Sequence, residues 1–78
     1  MNKLYRLKPL VWEGPTKGWW TALPADMEIH QIGGNFILYD GGFKASTHDT
    51  AEKAKEAADK RYMENMMRIL MPTYVEEV

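Results

Sequence analysis

The chain contains no cysteine. That excludes a disulfide framework and any thiolate zinc site, and it fits a reducing compartment or indifference to redox state. His30 and His48 are the only histidines, and neither has further ligands at helix or hairpin spacing, so no metal site is expected. No apolar run approaches the roughly 20 residues of a membrane-spanning helix. The basic N-terminal residues are not followed by an apolar core segment, so no signal peptide is expected. Between Trp19 and Phe43 there is no Lys and no Arg. Cations supply most of the affinity for phosphates, so this lack weighs against a sheet that reads nucleic acid. There is no internal repeat and no low-complexity segment.

Catalytic motifs are missing as well. Gly33-Gly34 and Gly41-Gly42 do not lead into a helix at phosphate-loop spacing and are read as hairpin turns. Ser46, Thr47 and His48 are neighbours in sequence, but a nucleophile and its base need spatial, oriented proximity and an orienting acid. Asp49 is accounted for as a helix cap rather than as half of a His-Asp metal motif. No catalytic, cofactor-binding or metal-ligating residue is assigned, no cofactor is expected, and the chain is read as a non-enzyme.

What is present centres on Asp49 to Leu70. Asp49 followed by Thr50, Ala51 and Glu52 has capping-box spacing, with Asp49 as the expected N-cap. Ala51, Ala54, Ala58, Tyr62, Met66, Ile69 and Leu70 recur at three- and four-residue steps and share one face. Pro72 ends the helix near Leu70 or Met71. The first half of the apolar face is alanine, which lets a partner come close and requires that partner to supply the bulk. Upstream tryptophans can supply it. Met63, Met66, Met67 and Met71 crowd the helix end; Met66 is read as core, and the others as an adaptable contact surface or as packing beneath the N-terminal arm.

Before the helix, Leu10–Glu13 reads as a strand, Gly14-Pro15-Thr16-Lys17-Gly18 as a turn, and Trp19–Leu23 as the returning strand. Pro24-Ala25-Asp26 breaks the run. Met27–Ile32 is extended, Gly33-Gly34-Asn35 turns, Phe36–Tyr39 returns, and Asp40-Gly41-Gly42 turns again. Phe43–Thr47 is a short strand or an extended lead-in to the helix. The expected fold class is α+β, a three- to four-stranded antiparallel sheet packed on one C-terminal helix (ββββα or βββα). At 78 residues the chain is read as one domain: a basic arm or extra strand over 1–8, the sheet over 9–48, the helix over 49–71 and a tail over 72–78.

One helix covers one sheet face, so alternation decides which side chains go in. The expected core is Trp12, Trp20, Ala22, Ile29, Phe36 and Leu38 on the helix alanines. Trp19, Ile37 and Tyr39 are left on the open face, an exposed aromatic cluster that is a candidate protein-binding surface. Leu4, Tyr5 and Leu7, or Tyr74-Val75 of the tail, are the segments that could fold over it, and a second copy of the chain is another cover. The formal net charge is −1, yet residues 1–12 carry Lys3, Arg6 and Lys8 with no acid. This basic arm joins the candidate contact residues.

Two resemblances bear on function. The stretch from Gly42-Phe43 through Thr50-Ala51-Glu52-Lys53-Ala54 to Ala57-Ala58 resembles the strand-to-helix segment of AP2-type and integrase arm-type DNA-binding domains. Those domains read DNA with Arg and Trp on an open sheet face, so this resemblance implies the fold and, as the alternative function, nucleic-acid binding through the open face and the basic arm. Pro9-Leu10-Val11-Trp12-Glu13, Gly18-Trp19-Trp20-Thr21-Ala22 and the Ala-rich Glu52–Ala58 run into Tyr62 are similar to small uncharacterised proteins of tailed bacteriophages and prophages. Pro24–Ile32 departs from that pattern, lacking its Gly-Tyr turn. This resemblance implies the cytoplasm of a bacterial host and no catalytic residues. The resulting expectation is a phage-encoded module that binds a host or phage protein, modulating or inhibiting a host protein or defence system, with a homodimer as a candidate arrangement and no membrane partner.

Overall fold

A computed structural model describes residues 5–66 and 75–77. The elements in chain order are β1 (Tyr5–Leu7), β2 (Val11–Thr16), β3 (Trp19–Leu23), β4 (Met27–Ile32), β5 (Asn35–Asp40), β6 (Phe43–His48), α1 (Ala51–Met66) and β7 (Val75–Glu77). The α+β class stands, with more strands than the three or four expected. Strands β2 to β6 form a five-stranded antiparallel meander in sequence order, and β1 pairs antiparallel with β7 in a separate two-stranded ribbon. The short Phe43 run, treated above as a strand or a mere lead-in, is a full strand because it pairs along β5 from Asp40↔Phe43 to Phe36↔His48.

Three of the four hairpins in the meander close through two residues. Lys17-Gly18 (φ 52° and 78°) and Gly41-Gly42 (61° and 89°) both place two successive residues at positive φ, the geometry whose twist matches the flanking strands. The expected five-residue turn over Gly14–Gly18 is therefore corrected. β2 continues to Thr16, and only Lys17-Gly18 turns. Gly14 and Pro15 lie inside the strand as a bulge: the register passes from Glu13↔Thr21 to Thr16↔Trp19, so two residues oppose Trp20. β6 carries a matching irregularity at Ala45, between Leu38↔Ser46 and Tyr39↔Lys44. Both edge strands of the sheet are thus bulged, which disfavours pairing with another chain along the edges.

The helix begins as the capping pattern requires, but one residue later than expected. Thr50 is the N-cap: its Oγ1 accepts from the Lys53 N–H (3.1 Å), and its carbonyl accepts from Ala54 N–H (3.2 Å). Asp49 instead pairs with the Lys53 ammonium at 3.1 Å, and this hydrogen bond and charge hold its carboxyl below the usual range. The expected helix end at Leu70 or Met71 lies outside the described residues.

The helix lies across β4, β5 and β6. Ala54 and Ala58 are fully buried, and Tyr62 is buried beside them. Facing them are Trp20, Ala22, Met27, Ile29 and Leu38, with Trp12 and Phe36 half-buried at the margin. Trp20 and Phe36 meet with ring centroids 5.7 Å apart. The bulk against the alanines thus comes from Ile29 and Leu38 as much as from tryptophan. Two core residues were not expected. Ala25 is drawn in by its turn, whose carbonyl accepts from Met27 N–H, and Met27 follows on the inner face of β4. Leu7 and Leu10 also pack on this cluster, and the Tyr62 hydroxyl donates to the Lys8 carbonyl at 2.6 Å. The segment between β1 and β2 therefore lies on the helix side, and Leu7 does not cover the open face. Leu4 and Tyr74 are outside the described residues. Among the described residues no helix is long and apolar enough to cross a membrane.

Candidate functional site

Strand alternation and register together build the open face of the sheet. One transverse row is Thr16, Trp19, His30, Ile37 and Thr47; the next is Glu13, Thr21, Glu28, Tyr39 and Lys44. Val11 and Leu23 oppose each other at one end, and Ile32 lies at the other. Four large apolar side chains on this face are more than half exposed: Val11 (61%), Trp19 (52%), Leu23 (64%) and Ile32 (55%). Burying such side chains is worth about 1.5–3 kcal/mol each, so their exposure on one face makes it a candidate contact surface.

The centre of the face is a row of rings. Trp19 and His30 stack with centroids 4.0 Å apart and planes 6° apart. His30 also meets Tyr39 at 4.5 Å, tilted by 40°. His30 Nε2 donates to Glu28 Oε1 at 2.8 Å. Glu28 is two residues before His30 and so on the same face. The result is a rigid platform: three rings held side by side, with the imidazole fixed by a carboxylate. Beside Trp19, on the β2 side, lies a shallow depression of about 420 Å³ lined by Glu13, Thr16, Lys17, Trp19 and Thr21.

The structure brings Trp19, Ile37 and Tyr39 together on one face. It does not bring Arg6 and Lys8 to them. Arg6 Nε is held by Glu76 Oε1 of β7 at 2.7 Å, and Lys8 lies beside Asp59, Tyr62 and Met63 on the helix side. Lys3 is outside the described residues. Partial burial next to this arm raises the Asp59 carboxyl above its usual range. His30 and Glu28 were missed as members of the site. Their i,i+2 spacing was visible, but the Trp19↔His30 pairing depends on the register across the Pro24-Ala25-Asp26 break, where Ala22 pairs with Met27.

The Ser46 and His48 side chains do meet, Oγ to Nε2, at 2.7 Å. They lie on the helix side of β6, opposite Leu38 and Phe36. Among the described residues no carboxylate hydrogen-bonds the other imidazole nitrogen, so the ring lacks the orienting partner of a nucleophile–base pair.

Compared with known proteins, the chain matches no family model, no curated protein and no solved structure.

Proposed function

We propose that the protein is a non-catalytic protein-binding module that uses the open sheet face, and that Trp19, Ile37 and Tyr39 make the contacts. The observation that carries this is the Trp19–His30–Tyr39 row of rings, Trp19 itself more than half exposed, flanked by three further apolar side chains more than half exposed on the same face, Val11, Leu23 and Ile32. Rigid aromatic anchors with apolar surroundings are what interface centres are made of. The bulged edges direct binding to the face rather than to strand addition. The similarity to small phage proteins makes a host protein or defence system in the bacterial cytoplasm the partner class, by analogy alone.

Five strands about 4.8 Å apart and about 18 Å long give a face of roughly 400 Å². Two copies meeting through it alone would bury about half of the roughly 1,600 Å² of a standard interface. That favours a heterologous partner inserting a segment over a homodimer through this face. The second reading, a nucleic-acid platform, draws on the same exposed rings, but Glu13 and Glu28 would face the phosphates there, and among the described residues only Lys17 and Lys44 oppose them on this face.

The test is capture from nuclease-treated and untreated bacterial lysate with tagged parent, Trp19→Ala, Tyr39→Ala and a Lys3/Arg6/Lys8→Ala triple variant. A protein retained after nuclease treatment and in high salt, and lost with either ring variant, is the expected result. Hot-spot truncations of this kind cost about 2 kcal/mol or more, near thirtyfold in affinity. Capture that disappears with nuclease, or with the triple variant and rising salt, would favour the nucleic-acid reading.

A further inference from the structure

We infer that the depression beside Trp19 is a pocket for an arginine side chain of the bound partner. The inference rests on reading the open face as a protein-binding surface and adds what the partner must present. One side of the Trp19 indole is covered by His30, 4.0 Å away and nearly parallel. The other side bounds the depression, whose remaining walls come from β2, β3 and their turn. A flat, bare π face is therefore available, and it points toward β2.

The bulge shapes this slot. In a regular strand, side chains on one face recur every two residues. On β2 the open-face positions are Glu13 and Thr16, three apart, because Gly14 and Pro15 together oppose Trp20. Gly14 at φ 117° brings the β2 backbone so close to β3 that an added Cβ would lie 2.6 Å from the Trp19 carbonyl oxygen. The bulge thus sets Glu13 and Thr16, three residues apart, along the depression beside the ring.

Chemistry selects the occupant. Glu13 is exposed and forms no hydrogen bond or ion pair among the described residues. Thr16 and Thr21 add hydroxyls on either side. A flat ring, a carboxylate beside it and nearby acceptors match a planar cation with several in-plane donors, which is guanidinium. An ammonium lacks the plane, a neutral ring leaves the carboxylate unmatched, and a phosphate would meet Glu13 and Glu28. Lys17 stands at the turn end of the slot. It is a like charge to the proposed guest, which makes the sign of its effect diagnostic. The face is too small for a stable dimer by itself, so the arginine belongs to a different chain rather than to a second copy.

The experiment follows the Trp19 indole N–H by NMR in the full chain during titration with a capped Gly-Arg-Gly peptide, its citrulline and lysine counterparts, and an oligothymidylate. The expected result is a saturable shift with arginine in the millimolar range, at least fivefold weaker response to lysine and none to citrulline. Glu13→Gln weakens arginine binding at least fivefold, and Lys17→Ala leaves it equal or tighter. Both substitutions are on the exposed surface, and unchanged dispersion of the remaining amides verifies the fold. Equal response to citrulline overturns the inference. So does tighter binding of any probe by Glu13→Gln together with weaker binding by Lys17→Ala, which would mark an anion site, and so does saturation by the oligonucleotide at lower concentration than by arginine. In lysate capture, a partner lost with Trp19→Ala and Tyr39→Ala but kept by Glu13→Gln overturns the arginine pocket and leaves the binding surface standing; a partner kept by all three removes both.

Discussion

Replacing Gly14 by alanine should damage this protein more than its position near a turn suggests. Gly14 has φ 117°, and an added Cβ would meet the Trp19 carbonyl oxygen at 2.6 Å, the Thr16 nitrogen at 3.2 Å and the Trp20 Cα at 3.3 Å. All three are backbone atoms, so no side chain can rotate away. Holding a non-glycine residue in this region costs about 1–3 kcal/mol, and displacing the ladder to relieve the overlap adds about 1–3 kcal/mol. Together they remove about 2–6 kcal/mol from a domain whose total stability is on the order of 4–12 kcal/mol. At about 4–8 °C per kcal/mol, the thermal midpoint should fall by about 10 °C or more. Gly34 is the internal control: it lacks a positive φ, and nothing lies within 4 Å of its Cβ position. Gly34→Ala should therefore be neutral or stabilise by a few tenths of a kcal/mol through the unfolded chain. The assay is circular-dichroism melting and urea denaturation of both variants beside the parent, with equal m values required for comparison. If Gly14→Ala melts within about 3 °C of the parent, the close β2–β3 approach is wrong, and the slot beside Trp19 loses its structural basis.

Other substitutions probe the remaining links. Ala58→Leu inserts bulk where the helix meets β4 to β6 with no exposed surface, and should cost about 1–3 kcal/mol by urea denaturation, whereas half-buried Ala57→Leu should cost less. Thr50→Ala removes the N-cap acceptor and should cost about 1 kcal/mol, more than Asp49→Ala, whose side chain is solvent-exposed and pairs only with Lys53; the reverse order in denaturant melts would restore Asp49 as the cap. Asp59 has a folded-state pKa raised by burial, so its contribution to stability is full below the unfolded carboxyl pKa and is lost as pH rises through the folded value. Asp59→Asn should accordingly melt higher than the parent at neutral pH, with the gap closing by about pH 3.

The division of the tryptophans was legible before any coordinates, and the reason is local. Trp19 and Trp20 are adjacent, and adjacent strand residues point to opposite faces. Once Ala22 and Trp20 were assigned to the alanine-rich helix, Trp19 had to face away. The same alternation placed Ile29 and Leu38 inside, and Ile37 and Tyr39 outside. The bulge was illegible for an equally physical reason. Gly14-Pro15 carries the composition of a turn, and only pairing with β3 shows that the ladder resumes at Thr16↔Trp19. Thr50 and Asp49 are both good caps, and one residue of helix phase, fixed by docking, chose between them.

The basic arm separates the two levels of information most clearly. Sequence shows that Lys3, Arg6 and Lys8 cluster without an acid, and that suggested a contact surface. Tertiary structure pairs Arg6 with Glu76 across the β1–β7 ribbon, seventy residues away, and seats the Lys8 backbone against the helix, where its carbonyl accepts from the Tyr62 hydroxyl. Sequence alone thus determined the helix and its alanine face, the runs Trp19–Leu23, Met27–Ile32 and Phe36–Tyr39 as strands, the opposite facing of Trp19 and Trp20 and of Ile37 and Leu38, and the lack of cysteine chemistry, all of which follow from periodicity and composition. Register, bulge position and the stacking of His30 on Trp19 depend on which strand lies beside which and with what offset. Those are differences between whole-chain packings, and the folded arrangement alone decided them.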